Sequence, residues 1–168
     1  MKQIACPVHG TIQLSDIEVQ LLGTRAMQRL RNVKQLGLVP YVFPGADFSR
    51  LGHSLGVSHV TAMILDSLRR QGEKVPDPDY RDYRLAAFLH DIGHYPFSHT
   101  TEHALETFYG SPTSSAVEPV SGPKPKSKHV GDYYNHEHLG SDMLETDDEI
   151  KRIFGSARPK VDPNASAH

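Results

Sequence analysis

The chain has 168 residues, with Lys+Arg 18 against Asp+Glu 20 and a formal charge of −2. That length suits one domain with its own core, and that balance gives no wholesale polyanion-binding surface, so nucleic acid is not indicated as a partner. Cys6 is the single cysteine, which excludes an intrachain disulfide, and no apolar run reaches signal-peptide or membrane-span length. A soluble intracellular protein in a reducing compartment, cytoplasm or nucleus, with no membrane partner, is the expectation.

Lys2 to Leu14 reads as a short extended or turn-rich entry punctuated by Pro7 and Gly10. Ser15-Asp16-Ile17-Glu18 is a capping box and predicts a helix from Asp16 to about Leu22. Thr24 can cap a second helix through Leu36, with Met27, Leu30, Val33 and Leu36 at helical spacing and Gly37 as its stop. Leu38 to Ser49, with two prolines and a glycine, reads as a loop. Arg50 to Gln71 reads as a long helix with Leu51, Leu55, Val60, Ile64 and Leu68 inward, closed by Gly72. Another helix opens at Pro78 or Asp79 and carries Leu85, Phe88 and Leu89 into His90-Asp91. Ser98 to Phe108 is the next. From Gly110 to Gly131, Ser, Pro, Lys and Gly dominate and the apolar period vanishes, as in a flexible insert. Helical pattern returns over Asn135 to Glu145 and Thr146 to Phe154, and the rest reads as a tail. The expected organisation is one all-α domain over 1–168: a core at 1–109, an insert at 110–131, further helices at 132–155 and a tail at 156–168.

The chemistry concentrates in Leu89-His90-Asp91-Ile92-Gly93-His94-Tyr95-Pro96-Phe97-Ser98-His99. Adjacent His90 and Asp91 offer a nitrogen and an oxygen donor, a mixed pair suited to Mn, Fe, Ni, Zn or Mg. His94 lies one helical turn beyond His90, so both imidazoles can face one cleft if the helix persists that far. His53, one turn after Arg50 on the preceding long helix, is a third candidate donor. A core histidine with one hydrogen bond is its alternative. Asp91 follows an apolar run, and burying its carboxylate requires a cation or a donor beside it, a metal or an ion pair. Arg50 carries a planar fork of donors suited to phosphate oxygens, with a surface salt bridge as the alternative.

These blocks, with Pro7-Val8-His9-Gly10, Gln28-Arg29-Leu30-Arg31, Lys34-Gln35-Leu36-Gly37, Tyr41 to Ala46 and Arg50 to Val57, resemble the HD-domain phosphohydrolases. The branch they resemble is the deoxynucleoside triphosphate triphosphohydrolases of the sterile-alpha-motif-and-HD-domain type. The resemblance implies an HD-domain helical bundle, N-terminal portion only, and metal-dependent hydrolysis of deoxynucleoside triphosphates to deoxynucleoside and triphosphate. Another nucleotide substrate (monophosphate, cyclic or polyphosphorylated) and a non-catalytic nucleotide- or partner-binding module are the alternatives.

Residue by residue, the resemblance implies a divalent metal on His53, His90 and Asp91. His94, His99 and His136 would serve the substrate phosphates as catalytic groups, with His138 as the fallback for His136. Arg50 would bind phosphate, and Gln35 and Leu36 would read the sugar. Glu102 stands where the family usually has an Asp. Two departures follow. A fourth ligand, a downstream Asp, has no counterpart, because Asp142, Asp147 and Asp148 lack its context, so this chain alone is expected to be a poor enzyme. Gly23 replaces an Asp with which relatives read a guanine nucleotide between subunits. That regulatory site is not expected here, although Lys2, Gln28 and Arg31 match, and a homo-oligomer remains compatible.

Overall fold

The computed structural model describes residues 2–109 and 135–157. The expected insert at 110–131 and the tail from 158 onward lie outside the described residues.

The extended entry is a hairpin. Strands β1 (Lys2–Cys6) and β2 (Gly10–Leu14) pair antiparallel, Lys2 opposite Leu14 and Cys6 opposite Gly10. Alternation puts Ile12 and Leu14 in the core and Thr11 and Gln13 in solvent. The remaining regular structure described is helical, so the class is all-α with one small sheet.

Helix α1 (Asp16–Gly23) starts on the expected capping box: the Ser15 N–H donates to Glu18 Oε2 at 2.7 Å. Glu18 is buried and accepts from Arg84 at 3.1 and 3.0 Å, which ties α1 to α4 (Asp77–Leu89). Helix α2 (Arg25–Arg29) is far shorter than expected. After Arg29 the bonding tightens to i→i+3, and the carbonyls of Val33 and Leu30 accept from Arg50 and Leu51 at 2.8 and 3.2 Å. Those donors are the free N–H groups at the start of α3 (Arg50–Arg70). Tertiary bonding thus replaces the helix that Met27, Leu30, Val33 and Leu36 suggested. The first three are buried all the same, and Leu36 is exposed.

Ser49 caps α3, accepting from Gly52 N–H at 3.2 Å, and Gly72 ends it at φ +91. Its inward stripe differs from the expected one. Leu51, Leu55, Ala62 and Leu65 are buried together with Ser54 and Ser58, whereas Val60 (41%), Ile64 (55%) and Leu68 are exposed. The buried stripe keeps a close 3–4 spacing, and small residues fill part of it, with Ser58 donating to Glu18 at 3.2 Å. Apolarity alone pointed to the wrong face beyond Leu55. Helices α5 (His99–Tyr109), α6 (His136–Thr146) and α7 (Asp148–Ser156) complete the fold. Phe88, Leu89, Ile92, Leu144, Ile150 and Phe154 join α4, α6 and α7 in one core. No helix among the described residues is long and apolar enough to cross a membrane.

Candidate metal centre

Helix α4 stops at Leu89, so the helical register does not bring His90 and His94 together. Two tight turns do: Ile92 N–H donates to Leu89 O at 2.9 Å and His94 N–H to Asp91 O at 3.1 Å. The outcome is convergence on one carboxylate. Oδ1 of Asp91 lies 3.3 Å from Nε2 of His90 and 3.3 Å from Nε2 of His94, and Oδ2 lies 3.7 Å from Nε2 of His53 on α3. Donor atoms of His53, His90 and Asp91 all lie within 4.8 Å of one another.

Arg50 shares this centre. It is 2% exposed. Its Nη1 donates to Asp91 Oδ2 at 2.8 Å and its Nε to Ser98 Oγ at 3.0 Å, while its Nη2 is buried without a hydrogen-bond partner. The fork expected for phosphate is therefore a buried pair with the carboxylate. Burial raises the Asp91 carboxyl, but the facing His94 ring, the Arg50 guanidinium and the charge of His90 outweigh it and hold Asp91 well below the usual carboxylate range. Burial lowers His53 and His94 against the pull of Asp91, so both rings favour the neutral form that ligates metals. Two imidazoles and an ionised carboxylate fit a borderline divalent cation. Ligand atoms around an ion with bonds of about 2 Å sit roughly 3.3 Å apart, close to the spacing of His90 and Asp91.

A second group adjoins the first. Glu102 on α5 accepts from Nδ1 of His99 at 2.6 Å, from Nδ1 of His136 at 2.6 Å and from the His136 N–H at 2.8 Å. The His94 ring, 1% exposed, stacks on His136 with centroids 3.7 Å apart and planes at 13°. These four side chains are also close enough to surround an ion. The 2.6 Å separations are N–H···O distances, too short for neighbouring ligands of one ion, and stacked rings cannot both point at it, so proton handling is the better reading. Burial raises Glu102, and its bonds from His99 and His136 lower it further, leaving it ionised. His136, not the exposed His138, belongs to this group, and His99 is its most open ring.

Sequence reasoning missed three supports of the loop between α4 and α5. Arg29 donates from Nη1 to His94 O at 2.6 Å and from Nη2 to Ile92 O, clamping the backbone on either side of Gly93. Phe97 and Ser98 take left-handed conformations, φ 64 and 54, each costing about 1–2 kcal/mol for a residue with a Cβ. Gly93 touches α6 so closely that a Cβ would collide with His136 O and come within 2.9 Å of Gly140 Cα. A glycine inside the His-rich motif was the one available signal.

Gln35 and Leu36 lie with His53 along an open groove of about 780 Å³ on the outer side of α3, and Gln35 Oε1 is buried there without a partner. Asp147 is engaged as the cap of α7, and no carboxylate besides Asp91 joins His53 and His90 among the described residues.

The family described as "HD domain" matches residues 50–154, which span Arg50 to His136. The chain belongs to the HD domain family. It is 43% identical over 104 residues to "Deoxynucleoside triphosphate triphosphohydrolase SAMHD1" of Homo sapiens, covering 59% of this chain and 16% of that protein. It is 37% identical over 106 residues to the SAMHD1 homolog of Dictyostelium discoideum, covering 62% and 21%. An uncharacterized protein of Methanocaldococcus jannaschii is 39% identical over 102 residues, covering 61% and 21%. The matched stretches thus span 16% to 21% of these relatives' own length. Among solved structures, a hypothetical protein from Aquifex aeolicus superposes with TM-score 0.65 at 33% identity, covering 92% of this chain and 33% of that one.

Proposed function

We propose that this HD domain serves metal-dependent hydrolysis of deoxynucleoside triphosphates to deoxynucleoside and inorganic triphosphate. The observation that carries it is the convergence of His53, His90 and Asp91, of which His53 also lines the groove that holds Gln35 and Leu36. The likeness to a deoxynucleoside triphosphate triphosphohydrolase supports the substrate class.

A divalent cation on His53, His90 and Asp91 supplies a Lewis acid for a phosphoryl oxygen and lowers the pKa of water. The chain's own residues do the rest. Water adds to the α-phosphorus, the bond from that phosphorus to the sugar oxygen breaks, and the departing oxygen takes a proton. Glu102 fixes the Nδ1–H tautomer of His99 and His136, which leaves each Nε2 to accept or deliver that proton. Arg50 places its positive charge beside Asp91, where it would offset negative charge developing on a phosphoryl group. The buried, unpartnered Gln35 Oε1 would accept from a sugar hydroxyl once the side chain turns to the groove, and Leu36 would leave a second hydroxyl without a partner, which disfavours ribose.

Incubation with Mn²⁺ and matched deoxy- and ribonucleoside triphosphates tests this by the triphosphate released. The deoxy substrate should react at least ~10-fold faster, as expected when a desolvated hydroxyl decides between substrates. Equal rates would remove the sugar-reading role and favour another nucleotide substrate. A second reading, nucleotide binding without turnover, is favoured by the Arg50 pair on Asp91 and the single carboxylate of the metal group. Calorimetric binding with no triphosphate release would select it.

A further inference from the structure

Ser98 is 2% exposed and lies between two partners. Its hydroxyl donates to Lys34 O at 2.6 Å and accepts from Arg50 Nε at 3.0 Å. The proton is therefore committed to Lys34, and the lone pair is committed to Arg50. The residue reaches this position in the left-handed region, φ 54, directly after Phe97 at φ 64. Gly37, itself at φ +57, backs this turn, and a Cβ there would come within 2.9 Å of Phe97 O. Two non-glycine residues in left-handed conformations are maintained where the surroundings over-determine them.

The consequence shows in Arg50. A guanidinium facing a carboxylate favours two parallel bonds, one to each oxygen. Here the bond from Nε to Ser98 fixes the plane of the guanidinium, so that only Nη1 reaches Asp91, at Oδ2, and Nη2 is left without a partner. Resting on the metal-dependent reading above, we propose that Ser98 is a positioning residue that limits Arg50 to one oxygen of Asp91 and so keeps Oδ1, beside His90, for a divalent cation. Without the hydroxyl, the guanidinium turns, takes both oxygens and competes with the cation.

Ser98→Gly separates the hydroxyl from the backbone, because glycine adopts φ 54 without steric cost. Calorimetric titration of the full chain with Mn²⁺ should show affinity falling roughly tenfold, the loss expected when a charged fork closes on a ligand oxygen. The melting temperature should hold or rise. Arg50→Lys cannot form a fork, so adding Ser98→Gly to Arg50→Lys should change Mn²⁺ affinity no further. Unchanged affinity in Ser98→Gly overturns the proposal, as does an equal loss in the Arg50→Lys background, which would mark a general loosening of the fold. A wild-type chain that binds no Mn²⁺ overturns the cation site and this role together. Mn²⁺ binding without triphosphate release breaks the substrate reading alone.

Discussion

Two carboxylates in this molecule each face several imidazoles, and they are built for different work. Asp91 sits in a turn, and its histidines approach to between 3.3 and 3.7 Å, with Arg50 at 2.8 Å. Its separations from the rings leave room for an ion to enter. Glu102 sits on a helix and accepts three N–H groups between 2.6 and 2.8 Å. Three of its lone-pair positions are occupied, and its effect is to fix where two protons reside. Residue type does not separate the proposed metal ligand from the proposed proton-relay anchor here. Half an ångström or more of separation does, together with the number of bonds each oxygen already accepts.

The strongest way to break this comparison is Asp91→Ala. It removes the proposed metal-binding oxygen and strands Arg50 as a buried charge, which should cost about 3–5 kcal/mol. Metal content by elemental analysis should fall to background and the melting temperature should drop. Retained metal would move the centre elsewhere. Glu102→Gln sharpens the contrast. Turnover should fall by about two orders of magnitude as His99 and His136 lose their fixed tautomer, while metal content stays unchanged. Parallel loss of metal would merge the two groups into one site. Gly93→Ala acts on geometry alone. The added methyl displaces His136 from His94, destabilises by about 1–3 kcal/mol, and lowers turnover less than Glu102→Gln does.

The smallest effect is on pH. Burial lowers His53 and His94 from their ordinary 6.5, so the unfolded chain binds more protons below that value. The stability these neutral rings contribute in the ion-free protein is complete above 6.5 and is lost as pH falls toward their folded values. Melting temperatures should decline on acidification through that window. Glu102, lowered from 4.5, should produce a separate loss at more acidic pH that Glu102→Gln abolishes.

Much of this was legible in the sequence, and the failures have physical causes. The capping box, the long helix from Arg50 and the apolar run into His90-Asp91 rest on local rules, and they appear where expected. The helix expected through Leu36 failed because the carbonyls of Leu30 and Val33 accept from a segment about 20 residues away, a partner that no local pattern reveals. Val60 and Ile64 were placed inward because they are apolar, while the smaller Ser54 and Ser58 are the residues buried. His53, His90 and Asp91 were foreseen as a group. The use of Arg50 as a partner of Asp91, and the dependence of that pair on Ser98 and Arg29, follow from backbone geometry that only the fold supplies.

The glycine contact beneath His136 has a consequence for how this sequence tolerates change. The place of that imidazole is set by Gly93 against Gly140 and by the Glu102 bonds, all made outside residues 110–134. Among the described residues, the contacts that set this address come from α5, α6 and the loop after α4. Insertions, deletions or a covalent break between Tyr109 and Asn135 should leave His136 docked, and a chain divided there should reassemble from its two pieces.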